Sequence, residues 1–148
     1  MEGVLSGEAL LNLPVRVRGI RLAHPVDLVL DAEGRHAVGL EVRCGDETMR
    51  FLPLAAARVT AHEIAVRSAL LLFEERDQDF YRRGGRTLRA LRGVEVRRGG
   101  RTLGALVDVT LSPGGVIEEI VLDGPDGRKR VPLDDTVTIV QRGRVTAA

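Results

Sequence analysis

Apolar and polar residues alternate with a period of two in several short segments of this chain. Residues 15–18 read Val-Arg-Val-Arg and residues 38–42 read Val-Gly-Leu-Glu-Val, as expected for half-buried strands. Glycines such as Gly19 and Gly99 follow where a tight hairpin turn needs a positive φ. Turn-forming residues, for example at 123–127, separate the later strands at spacings of roughly 8–12 residues. The pattern predicts an all-β fold.

The sequence also repeats itself, at an offset of 81 residues. Residues 6–16 align with residues 87–97 without a gap, and Asp27 aligns with Asp108. Toward the end of each copy the offset falls to 79, which implies a hairpin loop two residues shorter in the second copy. Each copy supplies about six strands, so we expect two small antiparallel β-barrels related by a pseudo-twofold repeat.

The repeat predicts three segments along the chain. The first barrel domain covers residues 1–67, a connector covers residues 68–86, and the second barrel domain covers residues 87–148. Ser6 and Thr87 occupy equivalent positions, and their hydroxyls can cap a helical turn. We therefore expect one turn of helix at the start of each barrel.

The connector contains three of the four aromatic residues of the chain, Phe73, Phe80 and Tyr81. A short helix is expected at residues 77–83, with acids near its N-terminus and arginines near its C-terminus. Barrels of about 60 residues bury only roughly 60% of their unfolded surface and are marginally stable alone. We interpret the three rings as packing between the barrels and joining them into one unit.

Several short motifs of the second copy follow one another in a characteristic order. Residues 93–96 read Gly-Val-Glu-Val, residues 100–108 read Gly-Arg-Thr-Leu-Gly-Ala-Leu-Val-Asp, Gly115 lies in a turn, and residues 131–133 read Val-Pro-Leu. Together they resemble the PRC-barrel family. The first copy resembles it less closely, because residues 23–25 read Ala-His-Pro where the second copy has a glycine step.

This resemblance implies a compact antiparallel barrel that serves as an assembly module. In the family, such a barrel is the C-terminal domain of a ribosome-maturation factor and the cytoplasmic domain of a photosynthetic reaction-centre subunit. Related copies occur as stand-alone proteins or attached to membrane-transport and sporulation proteins. The fold alone therefore does not select a partner.

Positive charge is concentrated in one stretch, although the net charge of the chain is only +1. Glu95 is the one acid among eight arginines, which are Arg82, Arg83, Arg86, Arg89, Arg92, Arg97, Arg98 and Arg101. Guanidinium groups bind phosphates and carboxylates bidentately, so this stretch is a candidate interaction surface. The alternative is an ordinary solvated face whose arginine content reflects a GC-rich genome.

The sequence contains no pattern typical of a catalytic, metal or cofactor site. His24, His36, His62 and Cys44 lack the spacing that places ligands on one face, and no nucleophile motif or phosphate-binding loop is present. Asp27 and Asp108 are interpreted as structural acids that accept backbone N–H bonds, since short acids commonly do so. We expect neither enzymatic activity nor a cofactor.

The N-terminal residues lack the basic start and apolar core of a secretory signal, and a single cysteine allows no intrachain disulfide. The expected compartment is the cytoplasm. The expected function is a scaffold that docks a protein partner through strand edges, the connector and the arginine stretch. The alternatives are a ribosome-assembly factor that contacts a ribosomal protein or rRNA, an accessory subunit at an anionic membrane surface, and a homodimer.

The connector interpretation is tested by replacing Phe80 and Tyr81 with alanine. We expect each substitution to lower the free energy of unfolding by about 3–5 kcal/mol, because a buried ring is removed. Thermal or urea denaturation of the intact chain measures the change. An unaltered unfolding transition in both variants would exclude packing of these rings between the barrels.

Overall fold

The computed structural model describes residues 4–72 and 85–140, and most of these residues lie in β-strands. The all-β prediction is therefore confirmed. Strands are arranged in two sheets, one of which curls into a half-barrel. Within the described ranges, no helix has the length and apolar character needed to cross a bilayer. The predicted connector helix and the side chains of Phe73, Phe80 and Tyr81 lie outside the described residues.

The first half of the chain contains seven strands and one α-helical turn. In chain order, these elements and two short 3-10 turns are β1 (Leu5–Ser6), α1 (Gly7–Leu11), β2 (Val15–Val17), β3 (Ile20–Leu30), β4 (Ala37–Cys44), β5 (Met49–Pro53), a 3-10 turn (Leu54–Ala56), β6 (Ala57–Val59), β7 (Ile64–Val66) and a second 3-10 turn (Ala69–Leu71).

The described part of the second half follows nearly the same order. Its elements are β8 (Arg86–Thr87), α2 (Leu88–Leu91), β9 (Glu95–Arg98), β10 (Arg101–Leu111), β11 (Ile117–Gly124), β12 (Gly127–Pro132) and β13 (Val137–Ile139). The long strands β3 and β10 start and end 81 residues apart, as the sequence offset requires.

Local sequence explains where the helical turns and hairpins form. The Ser6 hydroxyl accepts a hydrogen bond from the Ala9 amide at 3.0 Å, and the Thr87 hydroxyl accepts one from the Ala90 amide at 3.2 Å. The predicted capping of both opening helical turns is therefore confirmed. The hairpin between β2 and β3 turns at Gly19, whose φ of +79° is accessible to glycine without strain.

The two sheets differ in how their strands are paired. One has the order β5-β4-β3-β2-β7-β6, and the other has the order β12-β11-β10-β9-β13. All of these pairs are antiparallel except β2 with β7, which run parallel and depart from the expected antiparallel barrel. In the described residues, no ladder joins the two ends of either series. Closure of each half into a barrel therefore stays a prediction.

Each half contributes its first strand to the sheet of the other half. Strand β1 pairs with the end of β10, and β8 pairs with the end of β3. The turns that follow these long strands also meet. The Ala37 amide donates to the Gly115 carbonyl at 2.7 Å, and the Ile117 amide donates to the Arg35 carbonyl at 2.9 Å. This exchange joins the halves through backbone hydrogen bonds as well as side-chain packing.

The hydrophobic core is continuous across this exchange, because buried residues of both halves form one cluster. Gly7 and Leu88 are equivalent in the repeat and meet at the junction. A Cβ atom at Gly7 would lie 2.8 Å from Cδ2 of Leu88 and 2.7 Å from Oδ1 of Asp108. One of the two equivalent positions is therefore glycine because the other is a fully buried leucine.

We expect Gly7→Ala to destabilise the protein by about 1–3 kcal/mol, since the new methyl group overpacks the junction. This outcome opposes the usual gain from replacing a helical glycine by alanine. Urea denaturation measures it against Gly45→Ala, because a Cβ at Gly45 would meet nothing within 4 Å. Equal stability of the two variants would contradict the close packing at Gly7.

Candidate interaction surfaces

The two equivalent aspartates hold the exchanged segments in place. Asp27 is buried, and its Oδ1 accepts hydrogen bonds from the Leu28 amide at 2.9 Å and the Arg89 amide at 3.1 Å. Because Arg89 belongs to α2, the carboxylate of the first half satisfies a free N–H at the start of the helical turn of the second half.

Asp108 makes the reciprocal connection. Its Oδ1 accepts from the Val109 amide at 2.8 Å, and its Oδ2 accepts from the Glu8 amide of α1 at 3.3 Å. Both aspartates therefore accept backbone N–H bonds, and in each case one donor belongs to the opposite half. The sequence repeat identifies these two aspartates, but only the structure shows that each accepts a hydrogen bond from an amide of the opposite half.

Two arginines reach from the junction to the segment around β13. The guanidinium of Arg35 donates to the carbonyls of Asp134 and Val137 at 3.2 and 3.1 Å. Arg86 donates to the Val140 carbonyl at 3.0 Å, and its Nη1 is buried without a hydrogen-bond partner. Burial lowers the pKa of Arg86 from its ordinary value. The guanidinium of Arg86, one of the eight candidate arginines, is thus engaged inside the molecule.

The other described arginines of the candidate stretch differ in the partners they contact. Arg97 contacts both carboxylate oxygens of Glu95, at 2.7 and 3.1 Å, and the Thr102 hydroxyl also donates to Glu95. The bonds from Arg97 and Thr102 lower the pKa of Glu95, and the bond to Glu95 raises the pKa of Arg97. This ion pair reduces the positive charge that Arg97 presents to a ligand.

Arg92 and Arg98 also make hydrogen bonds within the protein, to the Val107 carbonyl at 3.3 Å and the Thr136 hydroxyl at 3.2 Å. The side chains of Arg89 and Arg101 are exposed and make no hydrogen bond or ion pair with any described residue. Arg82 and Arg83 lie outside the described residues. The role of the whole stretch as an interaction surface therefore stays a prediction.

A second basic segment, absent from the candidate residues of the sequence analysis, lies on β12. Arg128, Lys129 and Arg130 are consecutive and exposed, and β12 pairs only with β11 among the described strands. Asp123 accepts from Arg128 at 3.1 Å, and Glu119 lies 3.9 Å from Arg130. The three consecutive basic residues are visible in the sequence, but only the strand order shows that they lie on the edge of a sheet.

The histidines and the cysteine are dispersed. His36 contacts Asp31 at 3.1 Å, His24 lies beside Arg21, and His62 is exposed. Among the described residues, no three His, Cys, Asp or Glu side chains are grouped so that they could hold a metal ion. Cys44 is buried, and desolvation is the main cause that raises the pKa of its thiol.

Comparison with models of known protein families and with curated proteins found no match to this chain. The PRC-barrel resemblance accordingly stays a prediction. A fold of this kind is compatible with many functions, so function must be inferred from the surfaces of the molecule itself.

We expect Asp27→Ala and Asp108→Ala each to lower the free energy of unfolding by about 1–3 kcal/mol, because buried amides lose a charged acceptor. Hydrogen exchange should accelerate at the Arg89 amide in the first variant and at the Glu8 amide in the second. Asp135→Ala is the control, since Asp135 is exposed and has no partner among the described residues. Unchanged exchange at both amides would contradict the proposed connection between the halves.

Proposed function

We propose that this protein is a non-catalytic scaffold, made of two PRC-barrel-like copies and acting in the cytoplasm, that docks a protein partner along the outer edge of β12. The observation that carries the proposal is the run of three exposed basic residues, Arg128, Lys129 and Arg130, on an edge strand. An edge strand presents unpaired backbone N–H and C=O groups that can pair with an added strand.

The charge of this edge favours an acidic extended segment as the docking partner. Lys129 has no ion-pair partner among the described residues, and the pair of Arg130 with Glu119 is long, at 3.9 Å. Pairing of β12 with its own copy would place cations opposite cations, which is unfavourable in a sheet. The same basic residues thus discourage association through β12 and favour a different, negatively charged chain.

The exchange of β1 and β8 supports a scaffold function because it makes the edge part of a preorganised body. Strand β12 is attached through β11 to β10, and β10 also carries β1 from the other half. A strand held in this way loses little conformational entropy when a partner binds. Most of the free energy of the hydrogen bonds formed along this edge is therefore available for binding.

An RNA-linked assembly factor is the second candidate, because the same run of exposed basic residues could contact phosphates. Phosphate contacts through several cations weaken steeply between about 50 and 200 mM salt. Backbone pairing along a strand edge depends much less on salt. Salt dependence therefore separates the two functions.

We expect an eight-residue peptide of alternating valine and glutamate to bind the intact protein and to slow hydrogen exchange of the outward amides of β12. The double substitution Lys129→Glu and Arg130→Glu should weaken binding at least about tenfold, since attraction is replaced by repulsion. Nuclear magnetic resonance titration measures both effects.

Arg101→Glu is the matched control, because Arg101 is equally exposed and unpaired in the described structure but lies on β10. Its effect on peptide binding should be below about threefold, as expected for a charge outside the site. Binding that is equal in the double variant and the unaltered protein would contradict docking at β12. Tighter and strongly salt-dependent binding of a single-stranded RNA through the same residues would favour the RNA-linked function.

A further inference from the structure

A cationic depression of about 650 Å³ lies on the first half, away from the arginine stretch of the sequence analysis. Three arginines, Arg18, Arg58 and Arg67, line it over a floor of four alanines and Val66. We call it the alanine-floored depression. Its volume falls within the range of about 300–1,000 Å³ typical of small-molecule sites.

The strand register explains how the arginines converge. Ala65 on β7 pairs with Arg58 on β6 on one side and with Arg16 on β2 on the other. The neighbours Ile64 and Val66 are buried, so Ala65 faces outward in the alternation of the strand. A methyl group at this central position leaves space between the long side chains of the flanking strands.

The three lining arginines carry charge that the described structure does not neutralise. Arg18, Arg58 and Arg67 are exposed, and none makes a hydrogen bond or ion pair with a described residue. No acid lines the depression. Arg16 differs from them, because it contacts Glu63 at 3.5 Å. The lining therefore has three positive charges gathered without a counterion from the described chain.

Arg18 is also held in an unfavourable backbone conformation. Its φ is +50°, in the left-handed region that non-glycine residues seldom adopt. The equivalent position of the second half is Gly99, with a φ of +61°. The first half thus has an arginine at the turn position where the second half has a glycine. The left-handed conformation costs a non-glycine residue about 1–3 kcal/mol, and such strain is typical of functional sites.

The second half lacks this combination of residues. At the offset of 79, Asp134, Asp135 and Thr136 replace the alanines at 55–57, and Val137 replaces Arg58. Acids at these positions would repel an anion. The repeat therefore contains an internal contrast, because the second half has acids where the first half has part of the alanine floor.

We infer that the alanine-floored depression binds a soluble nucleoside diphosphate or a closely similar phosphorylated small molecule. Guanidinium groups recognise phosphate oxygens bidentately. A terminal phosphate carries about 1.5–2 negative charges, and the inner phosphate adds another, which matches three arginines. The alanines provide a flat apolar surface for the ring of the ligand. The lining has no aromatic side chain, whereas single-stranded nucleic acid sites usually stack bases on such rings.

Calorimetric titration of the intact protein with ADP, inorganic pyrophosphate and adenosine tests this inference. ADP should bind most tightly, pyrophosphate more weakly because it lacks the ring, and adenosine not measurably. Arg58→Gln and Arg67→Gln should each weaken ADP binding at least about tenfold, since each removes a charge-assisted contact. Arg101→Gln is the matched control and should leave binding unchanged.

Ala65→Glu provides a second variant, because it places an acid at the centre of the floor while keeping the buried face of β7 intact. We expect it to abolish ADP binding without a large change in thermal stability. The inference is overturned if ADP does not bind, if the arginine variants bind it normally, or if RNA or anionic vesicles bind at these arginines in preference to ADP. Lys129→Glu should retain ADP binding, so this test is independent of docking at β12.

Discussion

The reciprocal pairing of β1 with β10 and of β8 with β3 holds the two halves of the chain together. Two-residue strands have almost no stability alone, and each is fixed here by a capped helical turn that follows it. The carboxylates of Asp27 and Asp108 then bind amides of these turns across the junction. Small halves that would be marginal alone thereby share one hydrophobic core.

Departures from the internal symmetry are as informative as the symmetry itself. Gly7 gives up its side chain so that Leu88 can fill the junction, because two leucines could not occupy the same space. On the surface, Gly99 occupies the position equivalent to Arg18, and Asp134 occupies the position equivalent to Ala55. These side-chain differences give the two halves surfaces of different charge.

Local features of the fold were predictable from sequence, and non-local ones were not. Ser6 and Thr87 revealed the caps, and Gly19 revealed a hairpin, since these signals depend on residues close in the chain. Period-two alternation identifies a strand but does not identify its neighbour. For that reason the exchange of first strands and the parallel pair of β2 with β7 could not be derived from the pattern.

The candidate sites show the same division. A run of arginines in sequence suggested one basic face, and in the structure Arg86 donates to the Val140 carbonyl while Arg97 pairs with Glu95, two residues earlier on the same face of β9. Conversely, Arg18, Arg58 and Arg67 are up to 49 residues apart in sequence and line one depression through the register of three strands. Sequence proximity is therefore a poor guide to surface charge in this fold.

The small net charge of +1 constrains how such basic surfaces can work. A protein with a large positive charge attracts any polyanion over long distances, whereas screening at physiological salt limits this attraction to about 8 Å for isolated charges. Here positive charge is concentrated at the β12 edge and in the alanine-floored depression, and acids balance it elsewhere. Recognition must then depend on contact geometry. At the β12 edge the contacts are made by the backbone groups of an open strand, and in the alanine-floored depression they are made by converging guanidinium groups.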